Sequence, residues 1–448
     1  MEIKNKKISI IGAARSGIGA AKLAKKFGAF PFVSDSANEE KLKSSIDILK
    51  NLNVEFEIGS HSQTVYECDL MVVSPGVPSD AEVIKNAKEK NIKVISELEF
   101  ASWFCKGIII GITGTNGKTT TTSLCGYLFN ECGVKTYVAG NIGLAFSEIA
   151  DQVKENEFVA LEISSFQLDL IENFKPKVAM ILNITPDHLN RYENSVEKYA
   201  LSKQHIYRNQ DENDYLILNN DSNLLKQYLL EHKSKTFWFS TIEKVLNGCW
   251  LENDRIVFSE NSVEKFSCKT SDIFIRGEHN IQNAMAVIIA AKIFGFDNEK
   301  ILYALKTFKG VEHRLEFVKE IEGIKFINDS KATNIDSVIV ALKSFDEPIF
   351  LILGGLDKGN DYSVIEDLVV KKVKKIYAIG SSAEKIFNYF HNKVKTEIRK
   401  DLEEVVASAL SEARSGDVVL LSPACASFDM FENYEHRGKV FKEIVNRI

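Results

Sequence analysis

Seven consecutive residues, Gly114-Thr115-Asn116-Gly117-Lys118-Thr119-Thr120, put glycines, a lysine and hydroxyls in the order that phosphate binding asks for. Glycines let the backbone turn tightly enough to aim N–H groups at phosphate oxygens, and a helix that starts directly afterwards adds its own unpaired N–H groups. Lys118 is placed to neutralise the β- and γ-phosphates of ATP, and the Thr119 hydroxyl to ligate Mg²⁺. The general pattern G-x-x-x-x-G-K-[ST] is not met in full, because Ile112 stands where its first glycine belongs. An ordinary strand-to-helix turn that happens to carry these residues is the alternative. The apolar run 108–112 and the helical stretch 119–129 supply strand, loop and helix in order, which favours the phosphate loop.

Other groups with chemistry lie at the ends of other apolar runs. Glu162, near the end of 158–163, is placed to ligate the loop's magnesium, although a lone Glu at a strand end is more often solvated. The run 178–182 leads into Asn183-Ile184-Thr185-Pro186-Asp187-His188, a second potential metal ligand at a neighbouring tip. Near the start, Gly12-Ala13-Ala14-Arg15-Ser16-Gly17 follows a strand, and a second strand ends at Asp35. This is a dinucleotide fingerprint with Ala14 in place of the middle glycine, so a Rossmann-like domain holding some diphosphate is expected rather than a nicotinamide oxidoreductase. Ser74-Pro75-Gly76-Val77-Pro78 marks a tight loop at the same sheet edge. Towards the end come Asn328-Asp329-Ser330-Lys331-Ala332-Thr333-Asn334, Gly354-Gly355-Leu356-Asp357-Lys358-Gly359 and Ser422-Pro423-Ala424-Cys425-Ala426-Ser427-Phe428. Each follows an apolar run and combines cations with small residues, as an anionic ligand requires, although charged turns taken singly are usually solvated.

Positioning these turns falls to an α/β framework. Short β-branched runs at 8–11, 70–73, 108–112, 158–163, 178–182, 349–353 and 418–421 alternate with helical stretches, the signature of mainly parallel sheets. In such sheets ligands gather beyond the carboxyl ends of the strands, where all these motifs lie. The 448 residues suggest about three domains, with boundaries near 97 and 310: 1–97 Rossmann-like, 98–310 a central P-loop ATPase domain, and 311–448 Rossmann-like again. The stretch 216–271 reads as an insertion or sheet extension in the middle block. Apolar residues at 45% and charged residues at 26% are those of a folded globular chain. A net charge of −6 offers no basic field for a nucleic-acid backbone. No apolar run approaches the roughly 20 residues that span a bilayer. The seven cysteines form neither a Cys-x-x-Cys pair nor a zinc-type spacing, which points to reduced thiols and the cytoplasm, with Cys425 a structural thiol.

In this order the segments resemble the Mur ligase family, ATP-dependent amide ligases that build the peptide stem of bacterial peptidoglycan. The family's nucleotide signature is matched by Thr113 through Thr120, which also explains Ile112. The segments 328–334 and 422–429, followed by Glu435-His436-Arg437-Gly438, look like those of members that add D-glutamate to UDP-N-acetylmuramoyl-L-alanine. The resemblance implies a UDP-sugar site at Gly12, Ser16, Gly17, Asp35, Ser74, Gly76 and Asn141, with Asp35 near the uracil. It implies adenine and ribose contacts at Asn280, Asn283, Arg314 and Asp329, and D-glutamate contacts at Lys331, Thr333, Lys358, Ser427, Phe428 and Tyr434. Two Mg²⁺ ions are implied, one held by Thr119 and Glu162, the other by His188 and by Lys203 as a carbamylated lysine. Lys118, His188 and Lys203 would carry the catalysis. Three small-molecule substrates, no nucleic-acid or membrane partner and a monomer are expected. Ala37 departs from relatives with a basic residue near the uracil, and Leu356-Asp357 leaves the alignment of the glycine-rich loop open. Competing readings are another ligase of the superfamily, such as an L-alanine- or diamino-acid-adding enzyme or a folylpolyglutamate synthase, the chain lacking the Asp-Asn-Pro-Arg motif of the diamino-acid-adding type, and an ATP-driven switch that needs no acceptor.

Overall fold

The computed structural model describes residues 2–448 apart from 79, 142, 188 and 358, and the side chain of residue 190 lies outside the description. Three sheets organise the chain. The first holds β1 (Lys7–Ile11), β2 (Phe30–Asp35), β3 (Glu55–Ile58), β4 (Leu70–Val73) and β5 (Val94–Ser96) in the order β3-β2-β1-β4-β5. All its pairings are parallel. Order reverses at β1, so β2 and β4 flank its tip and leave the crevice where such sheets take ligands.

The second sheet contains β6 (Ile108–Thr113), β7 (Thr136–Gly140), β8 (Phe158–Glu162), β9 (Val178–Ile181), β10 (Tyr215–Asn219), β11 (Lys235–Ser240), β12 (Gly248–Glu252), β13 (Arg255–Glu260) and β14 (Val263–Lys269). Its order, β14-β13-β12-β11-β10-β9-β6-β8-β7, puts β6 between β9 and β8. These central strands are buried along almost their whole length, which is why they read as unbroken apolar runs rather than alternating ones. The expected extension is a parallel addition at β11 and β12 ended by antiparallel β13 and β14. Lys203 sits in an α-helix over Val196–Gln204 that passes into a 3-10 turn over His205–Tyr207.

The third sheet runs β15 (Glu316–Ile321), β16 (Ile324–Asn328), β17 (Ile349–Gly354), β18 (Val373–Ile379), β19 (Lys395–Ile398) and β20 (Val418–Leu421), ordered β15-β16-β20-β17-β18-β19. Only β15 is antiparallel to its neighbour. The chain divides into two compact units. One comprises the residues up to Ile273 with Gln282–Lys306, and the other Phe274–Ile281 with Thr307–Ile448. Among the described residues no helix is long and apolar enough to cross a membrane.

Candidate active site

The phosphate loop leaves β6 and enters the helix Lys118–Glu131, with Gly117 as the N-cap. Gly114 and Gly117 have φ of 152° and 84°, values that favour glycine. A Cβ on Gly117 would also lie 2.4 Å from Asn283 Oδ1, so the turn fits only a glycine against the neighbouring helix Glu278–Ile293. The tip of β9 braces the loop. Asn183 Oδ1 accepts from the N–H groups of Thr115 and Asn116 at 3.1 and 2.8 Å, and the Thr115 hydroxyl donates to the Thr185 carbonyl at 3.1 Å. Tyr199 places its hydroxyl 3.2 Å from Thr115 Oγ1.

Two lysines converge on this turn. Lys118 Nζ donates to the carbonyls of Gly114 and Thr115 at 2.8 and 2.7 Å, and Lys203 Nζ donates to the same Gly114 carbonyl at 2.9 Å. Lys203 is 2% exposed, and its Nζ lies 4.6 Å from the centroid of the Tyr199 ring, one helical turn earlier. Burial, and then the charge of Lys118, push the Lys203 ammonium well below the usual lysine range.

Glu162, at the tip of β8, is buried. Asn141, beyond the end of β7, donates to its Oε1 at 3.0 Å. Its Oε2 is buried with no partner. Among the described residues the buried side-chain polar atoms in that condition are Thr113 Oγ1, Thr121 Oγ1, Glu162 Oε2 and His313 Nε2. The first three belong to the strands and helix around the loop. Unsatisfied buried oxygens are rare and costly, and a hard cation accepts oxygen donors, so Glu162 and the buried Thr119 hydroxyl suit Mg²⁺. His188 falls outside the described residues.

In the first sheet, a cavity of about 610 Å³ is lined by Gly12, Ser16, Asp35, Ser74, Gly76 and Asn141, among others. Gly12 and Gly17 are packing glycines: a Cβ on Gly12 would meet Ser74 at 2.9 Å, and one on Gly17 would meet the Gly12 carbonyl at 1.8 Å. Asp35 fastens the turn by accepting from Ala13 N at 2.7 Å and Ala37 N at 2.8 Å. Asn141 belongs both to this cavity and to the Glu162 pair, so one side chain serves both.

The second unit gathers three turns at the carboxyl ends of the adjacent strands β16, β20 and β17. Arg437, 1% exposed, ties two of them: its guanidinium donates to the Ser330 hydroxyl and carbonyl at 3.0 and 2.8 Å and to the Cys425 carbonyl at 3.1 Å. Leu356 and Ala426 exchange backbone hydrogen bonds, which adds the third turn. Lys331 Nζ lies 5.5 Å from the centre of the Tyr434 ring, Ser427 is buried, and Phe428 is 68% exposed. Thr333 N donates to the Lys331 carbonyl in the same turn. Lys358 is outside the described residues. Asp329 accepts from Ser422 Oγ at 2.8 Å and Leu315 N at 3.2 Å, and burial pushes its carboxyl up to about 7, with the charge of Arg314 opposing. Burial and Arg314 lower His279 to about 4, which puts Arg314 near both Asp329 and the segment carrying Asn280. The expected adenine and ribose contacts therefore fall in two groups, Asn283 beside Gly117 in the first unit and Asn280, Arg314 and Asp329 in the second.

Three family models match: "MurD N-terminal domain" over residues 7–83, "Mur ligase middle domain" over 112–291 and "Mur ligase, glutamate ligase domain" over 313–425. The chain is 43% identical to a UDP-N-acetylmuramoylalanine--D-glutamate ligase of Chloroherpeton thalassium, covering 99% of this chain and 98% of that protein. It is also 43% identical to the protein of that name from Clostridioides difficile, with 100% of both chains covered. The chain belongs to the Mur ligase family. Its fold is shared with solved Mur ligases. UDP-N-acetylmuramate-alanine ligase MurC of Thermotoga maritima superposes with a TM-score of 0.63 at 20% identity, over 99% of this chain and 100% of that one. MurF from Acinetobacter baumannii gives 0.62 at 16%, over 97% and 93%. For a Mur ligase chain read from sequence alone, Asn183, Tyr199 and Arg437 are the supporting residues that went unassigned. Tyr199 carried a signal in its i, i+4 spacing from Lys203, whereas Asn183 and Arg437 act through turns distant in sequence.

Proposed function

We propose that this Mur ligase joins D-glutamate to UDP-N-acetylmuramoyl-L-alanine at the expense of ATP, through an acyl phosphate, in peptidoglycan synthesis. The observation that carries the reading is whole-length identity to ligases of that name, which extends through the C-terminal turns expected to choose the amino acid. The acceptor carboxylate attacks the γ-phosphorus and ADP leaves; the amine of D-glutamate then attacks the acyl carbon, phosphate departs, and the nitrogen loses a proton. Phosphoryl transfer of this kind depends on positioning and charge neutralisation. Lys118 supplies a cation at the phosphates, and the loop N–H groups and the helix start at Gly117 orient them. Asn141, shared by the first cavity and Glu162, holds the acceptor's reacting end beside the phosphate loop. Thr119 and Glu162 would hold one Mg²⁺, and His188 with a carbamate on Lys203 the second; such ions neutralise the charge on the transferring phosphoryl group. The buried, deprotonation-prone Lys203 amine is the form that adds to CO₂, losing a proton and becoming an anion opposite Lys118. Asn280, Asn283, Arg314 and Asp329 contact the adenosine, while Lys331, Thr333, Lys358, Ser427, Phe428 and Tyr434 surround D-glutamate. We keep 97 and 310 as the domain boundaries and a cytoplasmic monomer as the working form.

Phosphate release with UDP-N-acetylmuramoyl-L-alanine and a panel of L- and D-amino acids tests the reading. Release confined to D-glutamate supports it. Preference for L-alanine or a diamino acid sinks the acceptor choice, and release without any acceptor sinks the ligase.

A further inference from the structure

The glycine-rich turn after β17 contains two residues to which the sequence assigned no role, Leu356 and Asp357. Both are anchors. Leu356 exchanges backbone hydrogen bonds of 2.9 and 3.1 Å with Ala426, which ties the first half of the turn to the segment 422–428. Asn360 ties the second half to the same segment, donating from Nδ2 to the Ala424 carbonyl at 3.0 Å and lying 3.4 Å from Cys425 Sγ. Between these ties the Asp357 side chain folds the chain back on itself. Its Oδ1 accepts from the N–H groups of Gly359 and Asn360 at 2.6 and 2.7 Å. Asp357 and Gly359 are the sequence neighbours of Lys358, so one carboxylate fixes the backbone on either side of it.

The other oxygen serves a different end. Asp357 Oδ2 accepts from Lys385 Nζ at 2.8 Å and from the Tyr362 hydroxyl at 3.4 Å. Lys385 stands on the helix Ala383–Phe390 and also donates to the Asn360 carbonyl at 2.9 Å. Burial works against the charge on Asp357, but the Lys385 ammonium and the N–H groups of Asn360 and Gly359 hold its carboxyl below the usual range. The turn therefore carries a full negative charge next to a site expected to take an amino acid with two carboxylates. Like charges a few ångströms apart repel even at the intermediate dielectric of a protein surface. Lys385 cancels that charge and leaves the two backbone hydrogen bonds in place.

We propose that Asp357 is a positioning residue for the amino-acid substrate, its carboxylate presenting Lys358 by pinning the chain on both sides, and that Lys385 neutralises it so that the substrate's carboxylates are not repelled. The turn and the charge are separable parts of this device, because an amide oxygen can accept the two N–H bonds without bringing a charge. The proposal rests on the D-glutamate reading of these turns.

Steady-state kinetics of phosphate release, with D-glutamate and ATP varied separately, provide the test. Asp357→Ala, which removes both functions, should raise the KM of D-glutamate about tenfold while the KM of ATP holds, the scale of lost hydrogen bonds to a charged group. Asp357→Asn, which keeps an acceptor for the two N–H groups, should stay within about threefold of the native KM. Lys385→Met leaves the carboxylate uncompensated and should raise the KM of D-glutamate about fivefold, less so at high salt. Combining Asp357→Asn with Lys385→Met removes the charge altogether and should return the KM towards the native value, a coupling that a merely structural loss does not produce. An unchanged KM of D-glutamate in Asp357→Ala, equal rises for D-glutamate and ATP, or a double variant worse than Lys385→Met overturns the proposal and spares the D-glutamate reading. Phosphate release by the native chain that ignores D-glutamate removes that reading itself.

Discussion

Two lysine amines share the Gly114 carbonyl, Lys118 at 2.8 Å and Lys203 at 2.9 Å, and two full positive charges there would repel strongly in so buried a place. The structure resolves the conflict at Lys203, whose burial favours the neutral amine. Lys203→Ala should lower kcat roughly 10²–10³-fold, the range found when one stabilising group at a reacting phosphoryl or acyl centre is removed, and added formate or acetate should restore part of it. Near-native turnover that ignores added carboxylates would count against the carbamate. Asp329 gives a pH prediction. Its carboxyl moves from an ordinary 3.8 to about 7 on folding, so the native state keeps a proton that the unfolded chain loses. Stability therefore falls as pH rises from about 4 to 7, by on the order of 4 kcal/mol in total for the nucleotide-free protein. Asp329→Asn should flatten this part of the stability–pH curve in denaturant titrations. A slope equal to the native one would show that Asp329 is not its source.

At the scale of elements, each site is a strand tip between two neighbours: β1 between β2 and β4, β6 between β9 and β8, and β20 between β16 and β17. Glycines set the first two. Gly12 has φ of 99° with Ser74 packed against its Cα, and Gly117 has φ of 84° with Asn283 there. Alanine at either position strains one turn and leaves the other alone. Gly12→Ala should raise the KM of the UDP-sugar about tenfold with little change for ATP, and Gly117→Ala should do the reverse, both read from steady-state kinetics. Equal effects of either variant on both substrates would mean that the two turns are not separate binding elements. The strand runs around these tips were legible because central parallel strands are apolar on both faces. Less legible was the end of the helix bearing Lys203, where a 3-10 turn takes over at His205, because local propensity barely distinguishes the two.

At the scale of the molecule, the two compact units have separate cores, Ile10, Phe100 and Leu161 belonging to one and Leu351, Ile376 and Leu420 to another. Calorimetry should accordingly resolve two transitions. UDP at a hundred times its Kd should shift only the one belonging to the first unit, by about 2.7 kcal/mol in unfolding free energy. A shift of both transitions would show that the units unfold together. The sequence alone determined the α/β class, the phosphate loop and the family resemblance, because these reside in contiguous stretches: an apolar strand, a glycine turn and the start of a helix. It named Glu162 from its place at a strand end, and Lys203 and Asn141 through that resemblance, but not what surrounds them. Tertiary structure decided that Glu162 Oε2 is left without a partner, that Lys203 is buried against the Gly114 carbonyl, and that Arg437 clamps two turns about a hundred residues apart. It also decided that Ser34 of β2 stands between Glu57 of β3, to which its hydroxyl donates, and the ring of His61. Burial, and the partner on which a proton rests, are properties of chain segments brought together from far apart, and no local pattern encodes them.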